Sequence, residues 1–101
     1  MTYLTEFPDF DYALPTLPGF ADESWHNDIC PKLVRSLVPY YDSPIVTVWC
    51  DYADPDRRES MKSRRYTIAL THYLADETIQ IAESDDLGQI IDILRALRWL
   101  D

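Results

Sequence analysis

Three runs, IVTVWCDY at residues 45–52, RYTIALTHYL at 65–74 and TIQIA at 78–82, decide the fold. In the first, Val46, Val48 and Cys50 alternate with Thr47 and Trp49; in the second, Ile68 and Leu70 alternate with Thr67, Ala69 and Thr71; in the third, Ile79 and Ile81 flank Gln80. Successive side chains of a strand point to opposite faces, so each run has one aliphatic and one mixed face. A half-buried antiparallel sheet has that pattern, whereas a parallel sheet covered on both sides is apolar at nearly every position. The runs therefore predict a three-stranded antiparallel meander with Trp49 on its less apolar face.

Downstream, ESDD at 83–86 leads into a helical stripe in which Leu87, Ile90, Ile91, Leu94 and Leu97 share one face. Asp86, with Gln89 three residues on, resembles a capping box, and Glu83, Asp85 and Asp86 suit the positive end of a helix dipole. A helix from Leu87 to about Leu100 is expected to cover the aliphatic side of the sheet. Trp99 lies off its stripe.

Upstream, Trp25, Ile29, Leu33 and Leu37 recur every four residues, which predicts a helix ending at Pro39. Pro31 has no N–H to donate, so the expected start is Asn27 or Asp28, with Pro31 in the first turn and Trp25 in the core. The segment YYDSP then links to the first run, and a short polar connection around residues 75–77 joins the second and third. Residues 1–21 hold four helix breakers, Pro8, Pro15, Pro18 and Gly19, yet also Tyr3, Phe7, Phe10, Tyr12, Leu14, Leu17 and Phe20. That is too apolar for a disordered tail and predicts an extended arm packed on the body, with an edge strand at residues 2–7. The expected class is α+β: an N-terminal arm, one helix, a three-stranded meander and a C-terminal helix on one sheet face, in a single domain spanning residues 1–101.

Net charge is −9, and residues 57–65, RRESMKSRR, carry +4 of opposite sign, which leaves −13 on the rest. The first 30 residues contain no Lys or Arg. Such a surface repels nucleic acid and membranes and attracts basic protein surfaces. The polar stretch from Ala53 to Arg65 is long for a hairpin connection and is expected to be mobile, its basic residues acting apart from the acidic body. No apolar run nears the roughly 20 residues that cross a bilayer, and no basic region followed by an apolar run opens the chain. A reduced cytoplasmic protein is the expectation, with Cys30 and Cys50 as packing residues.

Two glycines, Gly19 and Gly88, allow neither a phosphate-cradling loop nor a dinucleotide fingerprint. His26, Cys30, Cys50 and His72 are the residue types of a tetrahedral zinc site, but their spacing fits no common finger, and packing is the favoured reading. With no catalytic set, cofactor or metal expected, the function predicted is that of an acidic protein-binding inhibitor. Its partner would be a protein with a basic, nucleic-acid-binding surface, as for DNA mimics and phage anti-CRISPR proteins, a comparison resting on size and charge alone. The alternatives are an immunity protein neutralising a toxin, or a small enzyme with a zinc or cysteine site. The expected binding residues are Glu6, Asp9, Asp11, Asp22 and Glu23, then Glu83, Asp85 and Asp86, with Trp49 and Trp99 as anchors.

Overall fold

The computed structural model describes residues 2–38, 44–72 and 77–101. Their order is α1 (Tyr3–Glu6), β1 (Ala21–Asp22), β2 (Lys32–Ser36), β3 (Ile45–Cys50), a 3-10 turn (Pro55–Arg57), β4 (Tyr66–His72), β5 (Glu77–Ser84) and α2 (Leu87–Ala96). The class is α+β, and the strands form one antiparallel sheet in sequence order, β1 to β5. The YYDSP link before Pro44, the residues after His72 and the connection before Glu77 lie outside the described residues.

The meander is present but wider than three strands, because residues 32–36 of the expected helix form a strand and Ala21–Asp22 adds another. Pro31 and Pro39 leave seven residues between them, two helical turns at most, and an isolated helix that short is marginal. In the sheet those residues find ladder partners instead: Lys32 pairs with Trp49, Leu33 with Val48, Val34 with Thr47 and Arg35 with Val46. The four-residue recurrence of Trp25, Ile29, Leu33 and Leu37 is not one stripe. Leu33 is buried, while Trp25 and Ile29 are 40% and 57% exposed, so Trp25 is not a core residue. The N-terminal edge strand is likewise replaced, at residues 3–6, by the single turn α1.

The core lies between the sheet and α2. Leu33, Val46, Val48, Cys50, Tyr66 and Ile68 from the sheet meet Ile90 and Leu94 from the helix, with Leu17 of the arm beside them. Phe10, Tyr12, Leu14 and Phe20 pack against this cluster, as the arm's apolar content implied. Leu97 is 42% exposed and outside the buried face of α2. In β5 the ladder pairs Ile68 with Ala82 but Ala69 with Gln80, so Ile81 is an extra, bulged residue. The bulge breaks the Ile79/Ile81 alternation, and Ile79, paired with Leu70, is 53% exposed.

The α2 cap is the expected Asp86, whose Oδ1 accepts from Gly88 N at 2.8 Å. The reciprocal half of the box runs through a third residue: Asp86 N donates to Ser84 Oγ (3.0 Å), and Ser84 Oγ donates to Gln89 Oε1 (2.6 Å). At the other end Arg98 takes φ 60°, and Trp99 N donates to Leu94 O at 2.9 Å, a left-handed helix termination made without glycine. It turns Trp99 onto the core, where Arg35 Nη1 donates to the Trp99 carbonyl at 2.9 Å.

Candidate functional site

With α2 on one face, no helix among the described residues packs on the opposite face of the sheet, although Thr47 and Ala69 at its centre are buried. The register sets its rows: Lys32, Trp49, Thr67 and Glu83, then Val34, Thr47, Ala69 and Gln80, then Ser36, Ile45, Thr71 and Thr78. Trp49 is a ridge between two hollows. On one side Glu23, Lys32, Thr47 and Thr71 line a depression of about 300 Å³. On the other, a cleft of about 580 Å³ is walled by residues 27–30, Trp49, Asp51, Arg64, Arg65 and Glu83. Lys32 Nζ sits 5.3 Å from the Trp49 ring centroid and 3.0 Å from Asp28 Oδ2, so the ring already holds one cation.

Asp51 is the unusual group of the cleft. It is 8% exposed and, among the described residues, its carboxylate accepts one hydrogen bond, from Tyr52 N at 2.9 Å. No Lys or Arg among the described residues lies within ion-pair distance of it. Burial pushes its carboxyl above the usual range, which the Tyr52 N–H and the charge of Arg58 offset in part.

Next to Asp51 the arm and the loop after β3 meet. Asp11 Oδ1 and Oδ2 accept from Ala53 N and Asp54 N, both at 2.9 Å, and Asp54 caps Asp56 N at 3.0 Å. Asp9 bonds the Tyr52 hydroxyl at 3.1 Å and Arg57 Nη2 at 2.7 Å. Segments some 43 residues apart thus build one acidic pole from Asp9, Asp11, Asp54 and Asp56, and Glu59 and Asp11 both act on Asp51. The Tyr52 hydroxyl, then Arg57, hold Asp9 below the ordinary carboxylate range. Partial desolvation pushes Asp11 up, but the two backbone donors outweigh it and its carboxyl is also lowered.

The loop is not a free basic arm. Arg58 is its hub, 6% exposed, donating to the carbonyls of Tyr52 (2.7 Å), Ser63 (2.6 Å) and Ala53 (3.1 Å). Arg57 pairs with Asp9 at 2.7 Å, and Arg58 and Arg64 with Asp85 at 3.8 and 3.0 Å, so these three cations are folded back on the acidic body while Lys62 is exposed.

The expected binding residues divide accordingly. Glu6 is bound to the His26 ring at 3.0 Å and lowered by that bond, and Asp22 holds Tyr3 N and Ser24. Asp85 accepts from Arg65 N and Arg64, and Asp86 caps α2. These four carboxylates act within the fold. Glu23, Glu83 and Asp9 remain on the surface, Asp9 at 67% side-chain exposure. Trp49 stands on the open face as expected, whereas Trp99 is packed on the core and is not a free anchor. Asp51, Asp54, Asp56 and Glu59 were not singled out from sequence. The acids flanking the loop's Arg residues, in DPDRRE, were the one available signal.

The four residues of the zinc reading do not come together. Cys50 is at one end of β3 and His72 lies beyond the other, while His26 is exposed beside Glu6. Among the described residues, no three His, Cys, Asp or Glu side chains cluster as metal ligands would. Both thiols are buried, Cys30 being pushed up and Cys50 to about 12, in each case chiefly by desolvation, so both are protonated and poor nucleophiles. No helix among the described residues is long and apolar enough to cross a membrane. No family model, no curated protein and no solved structure matches the chain.

Proposed function

We propose that this protein is a cytoplasmic binding module that blocks a partner through that partner's basic, nucleic-acid-binding surface, without contacting nucleic acid itself. The observation that carries the reading is the bond from Asp11 to Ala53 N and Asp54 N. It joins the arm's acids to those of the loop beside the open cleft, in a chain of net charge −9.

Magnitude narrows the proposal. Duplex DNA shows about one charge per 1.7 Å, so the molecule's 36 Å long axis corresponds to roughly 21 phosphates, more than all 18 acidic residues of the chain. Mimicry of a whole duplex face is out of reach. A pole of four carboxylates with the charge of Glu59 beside it, partly offset by Arg57, matches a few phosphates, and the lasting affinity then falls to an anchor such as Trp49.

The test is association with a basic partner or, before one is identified, with a hexa-arginine peptide. Asp56→Lys with Glu59→Lys changes the pole by four charge units at exposed positions and leaves the bonds of Asp9, Asp11 and Asp54 intact. Slower association with an unchanged melting temperature is expected, and raising salt from about 50 to 300 mM should shrink the difference as screening shortens. Equal association rates for mutant and parent, insensitive to salt, would remove electrostatic recognition as the function.

A further inference from the structure

We infer that the cleft beside Trp49 receives one arginine side chain of a basic partner, with Asp51 as its carboxylate and the Trp49 ring as its stacking wall. The inference rests on the binding-module reading and gives it a specific contact. Asp51 is over nine-tenths buried, lines the cleft and has no cation of its own among the described residues. A desolvated carboxylate left in that state is costly, and a ligand bearing hydrogen-bond donors and positive charge removes the cost. Its cross-strand neighbour Arg65 does not supply that charge, because the Arg65 guanidinium stacks on Tyr12 at 4.0 Å. Arg64, also on the cleft wall, is paired with Asp85. Both arginines of the cleft wall thus have other partners.

Arginine fits better than lysine for two reasons. Its planar guanidinium stacks on an indole and sheds water more readily than an ammonium does. Its several donors can also reach more than one acceptor, and Glu83 and Asp28 line the same cleft. The contact of Lys32 with Trp49 shows that the ring face accepts a cation from this side of the sheet.

The experiment is a titration of isotope-labelled protein with hexa-arginine peptide at about 150 mM salt, where non-specific attraction is largely screened. The expected result is saturable shifts centred on the Trp49 indole N–H and the Asp51 amide. Hexa-lysine should bind several-fold more weakly, and Asp51→Asn should lose about tenfold or more in affinity. Asparagine still accepts from Tyr52 N, so the fold is retained; Trp49→Leu, on the open face, is the second variant and should also weaken binding. If Asp51→Asn binds like the parent, or the shifts centre away from the cleft, the inference fails. Should the Asp56→Lys, Glu59→Lys variant lose binding while Asp51→Asn keeps it, the cleft is not the contact and the acidic-surface reading stands. Absence of saturable binding to the parent also overturns the inference.

Discussion

Asp51 and Arg65 face each other just beyond the end of the β3–β4 ladder, Asp51 N donating to Arg65 O at 2.7 Å, yet their opposite charges do not meet. The Arg65 guanidinium lies 4.0 Å over the Tyr12 ring and 5.4 Å from Tyr66, while the Tyr12 hydroxyl donates to the Asp51 carbonyl at 2.7 Å. A residue of the N-terminal arm therefore keeps the arginine just before β4 from its acidic neighbour. Stacking of a desolvated guanidinium contributes up to about 2 kcal/mol, enough to compete with a partly solvated ion pair.

Tyr12→Leu should release Arg65 toward Asp51. The Asp51 carboxyl then titrates lower than in the parent, and hexa-arginine binding weakens because the cleft has acquired its own cation. Loss of the ring contacts should also cost roughly 1–2 kcal/mol of stability. Carbon-detected titration of the Asp51 carboxyl is the check; an unchanged midpoint would mean that Tyr12 does not control Arg65.

Asp51→Asn should stabilise the fold at neutral pH. Burial raises the Asp51 carboxyl in the folded state, so ionisation costs stability above that folded value and the cost disappears as pH falls through it. The variant, neutral throughout, should melt higher than the parent near pH 7, by roughly 4–8 °C if about 1 kcal/mol is relieved. The gap should close below about pH 4, where the parent's group is protonated in both states. A gap that persists at low pH would point to a packing cause.

Arg58 should behave as a structural cation. Arg58→Ala leaves three carbonyls without their donor and should cost about 2–4 kcal/mol, with Arg58→Lys recovering little because an ammonium cannot span three acceptors in that fork. In native digestion, trypsin should cut first at the exposed Lys62 and Arg64, and at the 6% exposed Arg58 only as the protein unfolds. Early cleavage after Arg58 would show that the loop opens on its own.

Gly19→Ala should be among the costlier single changes in the arm. Gly19 has φ 89°, and an added Cβ would collide with Arg35 Nη1 and the Asp101 carboxylate, which are paired at 2.7 Å. The backbone penalty alone is about 1 kcal/mol, and displacement of the ion pair adds to it. Denaturant unfolding measures it; a change under about 0.5 kcal/mol would mean that this closure of arm, β2 and C-terminal segment is loose.

What depends on neighbours a few positions away was legible in the residues alone: the alternation of β3 and β4, the Asp86 cap, the inward face of α2 and the burial of the arm's apolar residues. The sequence misled where a local period had a non-local resolution. Residues 32–36 carry a helical spacing by coincidence, and the pairing of Leu33 with Val48 and of Arg35 with Val46 outweighs it, because a sheet edge offers every backbone group a partner that two short turns cannot. The bulge at Ile81 and the left-handed Arg98 are likewise invisible without the partner strand and the core that reorient Ala82 and Trp99. Charge shows the same division. The counts of acids and bases were plain from the chain, but which carboxylates are consumed internally, as Glu6, Asp22 and Asp85 are, was decided by donors 19 to 21 residues away. The bare Asp51 was decided by another distant relationship, a ring 39 residues earlier that holds the arginine opposite it.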